Sequence, residues 1–361
     1  MLLTLGLGPL SKPWRTSQMK KSLVALAVLA ASGAAMAQSS VTLFGIVDAG
    51  YAVGNGSVSD KTTLRNSGYN SSRLGFRGVE DLGGGMKAGF HLEAGVNNDD
   101  GTGSASSALN QAQTAANVGT QGLTFNRRST VSLEGGMGEL RLGRDYTPHF
   151  WSETVYDPFG TNGVGTSITA FKGGLTGVRA SNSIGYLSPS MGGVKLWAQT
   201  YMGENASTAA KVGNGNSYRI TFDQGALSLA YAGSKTTTAA GVTNDTSNIA
   251  GSYDLGVAKL MAQSNTTKIT NAADIKSSLI GALVPMAGGT FRIASSQTEQ
   301  AGKESKLMAV GFVQPMSKRT DLYATYARVS NAGGAAAALN GAVTAANGSS
   351  TGYEFGIKHA F

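Results

Sequence analysis

The side chains able to do chemistry are few and far apart. His91, His149 and His359 are the only imidazoles and there is no cysteine. The three histidines lie in separate segments, without the H-E-x-x-H spacing that sets two ligands on one helix face. Lack of thiols removes Cys-ligated metals, Cys nucleophiles and disulfide frameworks together. No G-x-S-x-G elbow presents a serine, and the run Gly160 to Gly165 lacks the Lys-Ser/Thr ending of a phosphate loop. The residues therefore point to no enzyme, no metal and no cofactor.

The charged residues offer a different chemistry. Arg73 and Arg77 share one parity in Ser72 to Arg77, with Leu74 and Phe76 on the other; Arg128 goes with Thr130 and Ser132, against Val131 and Leu133. Downstream, Asp145, Glu153 and Asp157 share a stretch with Trp151, Tyr156, Phe159 and Phe171. Fixed charges lining a water-filled passage act on ions through their field, with no covalent step. Asp157-Pro158 also has the form of a turn opener.

The elements that position these groups follow from period. From Gln38 onward apolar residues alternate with small or polar ones over segments of about ten residues, broken by Gly/Asn/Asp/Ser clusters. Tyr353, Phe355, Ile357, His359 and Phe361 share one face of the last segment, and Glu354, Gly356, Lys358 and Ala360 share the other. Leu227, Leu229 and Tyr231 are likewise set against Ser228 and Ala230. Sixteen such segments can be counted, from 41–54, 67–79, 85–97 and 123–134 to 319–330 and 350–361. Short turns, such as Glu134 to Gly138 and Asp223 to Gly225, alternate with mostly longer polar connections around 98–122, 146–178, 204–214, 235–246 and 331–349.

A soluble sandwich also alternates, but an even strand count with short turns at one end and long loops at the other is the plan of a transmembrane barrel. In lipid every backbone N–H and C=O must be paired internally, so a sheet spans only when it has no edge. No helix substitutes: the longest apolar runs, such as Leu279 to Gly289, are interrupted, whereas a spanning helix needs roughly 18 apolar residues. With 51 Gly, 7 Pro, 14% charged residues and a mean hydropathy of −0.07, only the outward half of each strand is greasy. The predicted fold is all-β, a 16-stranded antiparallel transmembrane β-barrel. Sixteen strands leave a wet lumen where about eight would fill with side chains. On the opposite strand orientation Arg73 and Arg77 would sit in hydrocarbon, at about 2–4 kcal/mol each near the midplane, so both are assigned to the lumen. The Ala/Gly-rich 331–347 and the Ser/Ala/Gln-rich 101–118 are expected to be mobile surface loops.

The formal charge of +8 does not indicate nucleic acid. Residues 1–37 hold Lys12, Arg15, Lys20 and Lys21 and no acid, leaving 25 basic against 21 acidic residues beyond them. Lys20-Lys21, the apolar Ser22 to Ala31 and Ala35-Met36-Ala37 form a signal peptide in order. Export with cleavage between Ala37 and Gln38 is expected, with Met19 as the true start, so that 1–37 is extension plus leader and 38–361 the barrel.

Four stretches then become recognisable. SSVTLFGIVDAGY (Ser39 to Tyr51), SRLGFRGVEDLGGGMKAGF (Ser72 to Phe90), GELRLGRDYTPHF with YDPFGTNGVG (Gly138 to Gly165) and the ending GIKHAF (Gly356 to Phe361) resemble the Gram-negative general porins, most closely the beta-proteobacterial branch. The resemblance implies a homotrimer in the bacterial outer membrane, a passive pore for ions and small hydrophilic solutes, and a third external loop folded inward. It implies a constriction in which Arg73, Arg77 and Arg128 on the wall oppose Glu153 and Asp157 on that loop. It also implies that the barrel-assembly machinery reads the terminal Phe361. One departure stands out: many relatives carry Pro-Glu-Phe-Gly at the loop tip, and this chain has Pro158-Phe159-Gly160.

Overall fold

The computed structural model describes residues 40–104, 106, 110, 122–167, 177–204 and 211–361. The leader 1–37, the Ala37–Gln38 junction and Phe171 lie outside the described residues. Sixteen long strands follow one another: β1 (Ser40–Asn55), β2 (Arg73–Gly83), β3 (Met86–Asn97), β4 (Arg128–Gly135), β5 (Gly138–Tyr146), β6 (Arg179–Leu187), β7 (Val194–Tyr201), β8 (Gly215–Gln224), β9 (Leu227–Ala239), β10 (Val242–Asp254), β11 (Lys259–Ile269), β12 (Ile275–Met286), β13 (Gly289–Gln300), β14 (Lys303–Pro315), β15 (Thr320–Ala332) and β16 (Ser349–Ala360). Each is antiparallel to the next. β1 pairs with β2, Phe44 opposite Gly75, and with β16, Asp48 opposite Lys358. The sheet is therefore closed, which leaves no unpaired ladder in hydrocarbon.

Residues directly opposite across a ladder share a face, so the registers assign every side chain. On β14 and β15 the positions Leu307, Ala309, Val313, Tyr323, Ala327 and Val329 are buried, while Met308, Val310, Leu322 and Tyr326 are exposed on the outside. Along the strands, Val47, Tyr231, Ile249, Ile280 and Phe355 are large apolar side chains open to the surroundings, and each lies on this outer face. That inverts a soluble domain and matches a lipid solvent.

Three local departures from expectation have physical causes. The 235–246 region is no loop: β9 and β10 run on and meet at Ala240-Gly241, Gly241 taking a φ of +71°. Its Thr and Val residues favour strand, and polar groups on both faces suit a hairpin standing clear of lipid. Strand β2 begins only at Arg73, because residues 68–72 turn in to meet Asp48, whose carboxylate accepts the Tyr69 N–H (2.8 Å), the Asn70 N–H (2.5 Å) and the Tyr323 hydroxyl (2.7 Å). A short strand before this turn, Lys61–Asn66, lies on β1. The 331–347 tract, expected to be a mobile surface loop, is fastened instead: Leu339 is buried, its N–H donates to Ser350 Oγ (3.1 Å), and the Asn340 amide donates to the Ala52 carbonyl (3.1 Å). Residues 111–118 of the other expected loop lie outside the described residues.

The connection after β5 opens with helix α1 (Pro148–Val155). Thr147 caps it, its side chain accepting the Phe150 N–H at 3.3 Å, and Pro148 at the first position lacks only a donor that would be free there anyway. This segment lies against the polar face of the sheet. The His149 N–H donates to Ser217 Oγ (3.1 Å), Ser152 Oγ meets Asn248 Oδ1 (2.8 Å), and the Tyr156 hydroxyl meets Ser228 Oγ (2.8 Å). Further on, Phe159 and Val164 pack with Leu279, Leu307, Val329 and Leu339. An apolar cluster therefore lies inside the barrel between this segment and β12–β15.

Candidate functional site

Strand alternation in β2–β8 sets a band of cations on the inner face, and local acids divide it into pairs. Arg73 reaches the Ser71 carbonyl with Nε (2.8 Å) and the Asn70 side chain, and its Nη1 is 3.6 Å from Glu93. Glu93 on β3 also takes Arg127 Nε (2.5 Å) and faces His91 Nε2 (3.3 Å). Arg77 is exposed with its guanidinium over the Phe44 ring, 5.2 Å from the centroid. Arg128 lies 3.5 Å from Asp145, which also takes Arg141 Nη1 (3.2 Å); Arg141 holds Glu139 through two bonds of 2.8 Å. The Tyr146 hydroxyl accepts from Arg127 (2.5 Å) and Arg179 (2.6 Å), binding the next two cations to the root of the α1 segment.

Of the five residues singled out in the sequence, Arg73, Arg77 and Arg128 thus share the inner face of neighbouring strands. Glu153 and Asp157 are elsewhere. Glu153 is 7% exposed and turned to the wall, its carboxyl accepting from the Asn265 amide (2.9 Å) while its backbone carbonyl takes Gln263 Nε2 (3.0 Å). Asp157, 4% exposed, is used as a turn opener: Oδ1 accepts the Phe159 N–H (2.8 Å), and Oδ2 accepts the Thr161 and Ser167 N–H groups (3.2 Å each) and Ser167 Oγ (2.6 Å). Both acids hold the segment together.

Alternation would also have found Arg141, between outward Leu140 and Leu142, and Arg219, before outward Ile220. Arg127 escapes it, because β4 begins one residue later and a loop residue obeys no parity.

Burial governs protonation on α1. Desolvation, reinforced by Asp157, pushes the Glu153 carboxyl up to about 8, and burial pushes His149 down to about 4, so at neutral pH their 3.8 Å approach is between two uncharged groups. A folded-state pKa raised above the ordinary 4.5 gives a contribution that is full below 4.5 and lost as pH rises through about 8. Open-channel current noise should therefore grow between about pH 5 and 8 as the segment loosens, and Glu153→Gln should abolish the change. A flat wild-type profile over that range would contradict the assignment.

The closed sheet, outward apolar face and charged inner face define a transmembrane pore-forming barrel. The family model for Gram-negative porins matches residues 22–334, and the chain belongs to that family. Outer membrane porin protein 32 of Delftia acidovorans is 39% identical over 368 residues, spanning 95% of this chain and 100% of that one. An outer membrane porin protein of Bordetella pertussis is 27% identical, spanning 85% and 93%. Among solved structures, the anion-selective porin from Comamonas acidovorans superposes with a TM-score of 0.78 at 34% identity, over 90% of this chain and 100% of that one. The protein is an outer-membrane porin, a non-enzymatic channel for passive diffusion.

Proposed function

We propose that the connection after β5, the third external loop, folds into the lumen and narrows it, and that the narrowed passage prefers anions weakly. The observation that carries this is the division of charge: Arg73, Arg77 and Arg128 line the inner wall, whereas Glu153 and Asp157, the loop's answering acids, are buried in its own fastenings. The missing glutamate between Pro158 and Phe159 tilts the balance the same way. Small ions then pass by diffusion through a field that favours one sign without a tight site. The anion selectivity of the Comamonas porin, 34% identical to this chain, is in line with this sign. The leader 1–37, cut between Ala37 and Gln38, would deliver the chain for export. A homotrimer is proposed through the outward face of the first and last strands, where Leu43, Val47, Tyr51, Tyr353 and Phe355 form an apolar surface.

Reversal potential in a salt gradient across a planar bilayer tests the reading. An anion-favouring potential is expected, and Arg73→Gln with Arg77→Gln should move it towards cations. Lys303→Gln, at the loop end of β14, should move it far less, since exposed charges are screened over about 8 Å at physiological salt. Equal shifts from both changes would place the constriction elsewhere.

A further inference from the structure

Beside α1, on the turn side of the inner wall, lies a cavity of about 400 Å³ bounded by residues of β2–β8. Both tryptophans among the described residues, Trp151 on α1 and Trp197 on β7, line it. Placing two indoles there is costly and specific. Inward positions on the same strands carry Ser183, Gly185, Gln199 and Thr221, and an indole facing water keeps its apolar face unburied. Trp151 is nonetheless 38% exposed. Arg141 flanks the Trp197 ring at 5.8 Å from the centroid.

The charge around the rings is unbalanced. The cavity is bounded by five cationic side chains, Arg73, Arg128, Arg141, Lys195 and Arg219, against two acids, Glu93 and Asp145. The acids are engaged by the first three and by Arg127. Lys195 is exposed, and its side chain has no ion-pair or hydrogen-bond partner among the described residues. Arg219 leans on the Tyr156 ring, 6.0 Å away, with a buried Nε that has no acceptor. Two flat apolar faces next to two cations that no close ion pair holds, Asp223 acting on Arg219 only from further off, fit a solute with a flat apolar body and one negative charge.

We propose that this cavity is a transit subsite for aromatic carboxylates, with the ring against Trp197 or Trp151 and the carboxylate answered by Lys195 and Arg219. The proposal rests on the anion-preferring reading above and names the solute class that the pore favours beyond simple ions. Binding is weak, because a site in a pore must release what it admits.

Chloride current through single channels is the assay, with benzoate as probe and acetate and benzylammonium as controls. Benzoate should depress the chloride current at concentrations where neither control acts. Trp197→Leu should raise the half-blocking concentration roughly two- to tenfold, the range of an aromatic pair contact, and Lys195→Gln should also raise it. Heat-modifiable migration on gels shows that each variant is a folded barrel. Independently of any variant, benzoate should change the wild-type tryptophan emission saturably and acetate should not. Equal block by benzoate and acetate in a channel that still prefers anions would overturn this inference alone. A channel without anion preference would overturn the reading beneath it. Block that survives Trp197→Leu and Trp151→Leu unchanged would remove the indoles from any role.

Discussion

Asp157→Ala is expected to release the segment 156–167 from the wall while leaving the barrel closed. One carboxylate there accepts four hydrogen bonds, three from backbone N–H groups and one from Ser167 Oγ. Alanine leaves those donors without an acceptor in a buried site, at about 1–3 kcal/mol for each that water cannot reach. Taking about 3 kcal/mol as the net loss, the locally open population rises roughly a hundredfold. None of the ladder pairings involves this segment, so heat-modifiable migration should persist. Proteolysis within 156–167 should accelerate strongly, and single-channel conductance should rise because the obstruction is no longer held. Unchanged proteolysis and unchanged conductance together would show that the segment is held without Asp157, by its apolar contacts and the bonds to Ser228 and Glu354.

Deleting Phe361 is expected to reduce the outer-membrane yield of folded protein by several-fold or more, the scale on which a loss of one or two kcal/mol acts on abundance. Phe361 extends the β1–β16 seam: its N–H and carbonyl exchange bonds of 3.1 Å with Gly45. Its ring lies directly over Gly45, where a Cβ would come within 2.3 Å of Cζ and push the ring aside. The deletion thus removes two backbone bonds and an aromatic cover from the junction that closes the barrel. If assembly also depends on recognition of a terminal aromatic, Phe361→Tyr should restore yield and Phe361→Ser should not. Full yield from the deleted chain would separate closure from this residue altogether.

Strand number and facing were legible in the sequence because in a two-sided sheet each residue reports its own side. Leu74 and Phe76 dictated the facing of Arg73 and Arg77 without any distant contact. The long connection after β5 was not legible in the same way. Glu153 and Asp157 resemble pore-facing acids as sequence, and their partners, Asn265 and Ser167, are 112 and 10 residues away. Periodicity does not encode such pairings. The 333–348 segment escaped for a related reason: small residues look like slack, yet Leu339 and Asn340 tie it to the wall.

The apolar cluster inside the barrel has a bearing on the journey before the barrel exists. In β12, Leu279 faces the inside and Ile280 the outside; in β14, Leu307 and Val313 face in while Met308, Val310 and Phe312 face out. The stretches Leu279 to Pro285 and Leu307 to Val313 are consequently uncharged and greasy on both sides, unlike the strands that carry the arginines. Until the chain reaches a membrane these are its stickiest pieces, able to pair with their like in another copy. An escort that shields unfolded chains in transit would have most to cover in this C-terminal third, well after the pore-lining strands have emerged.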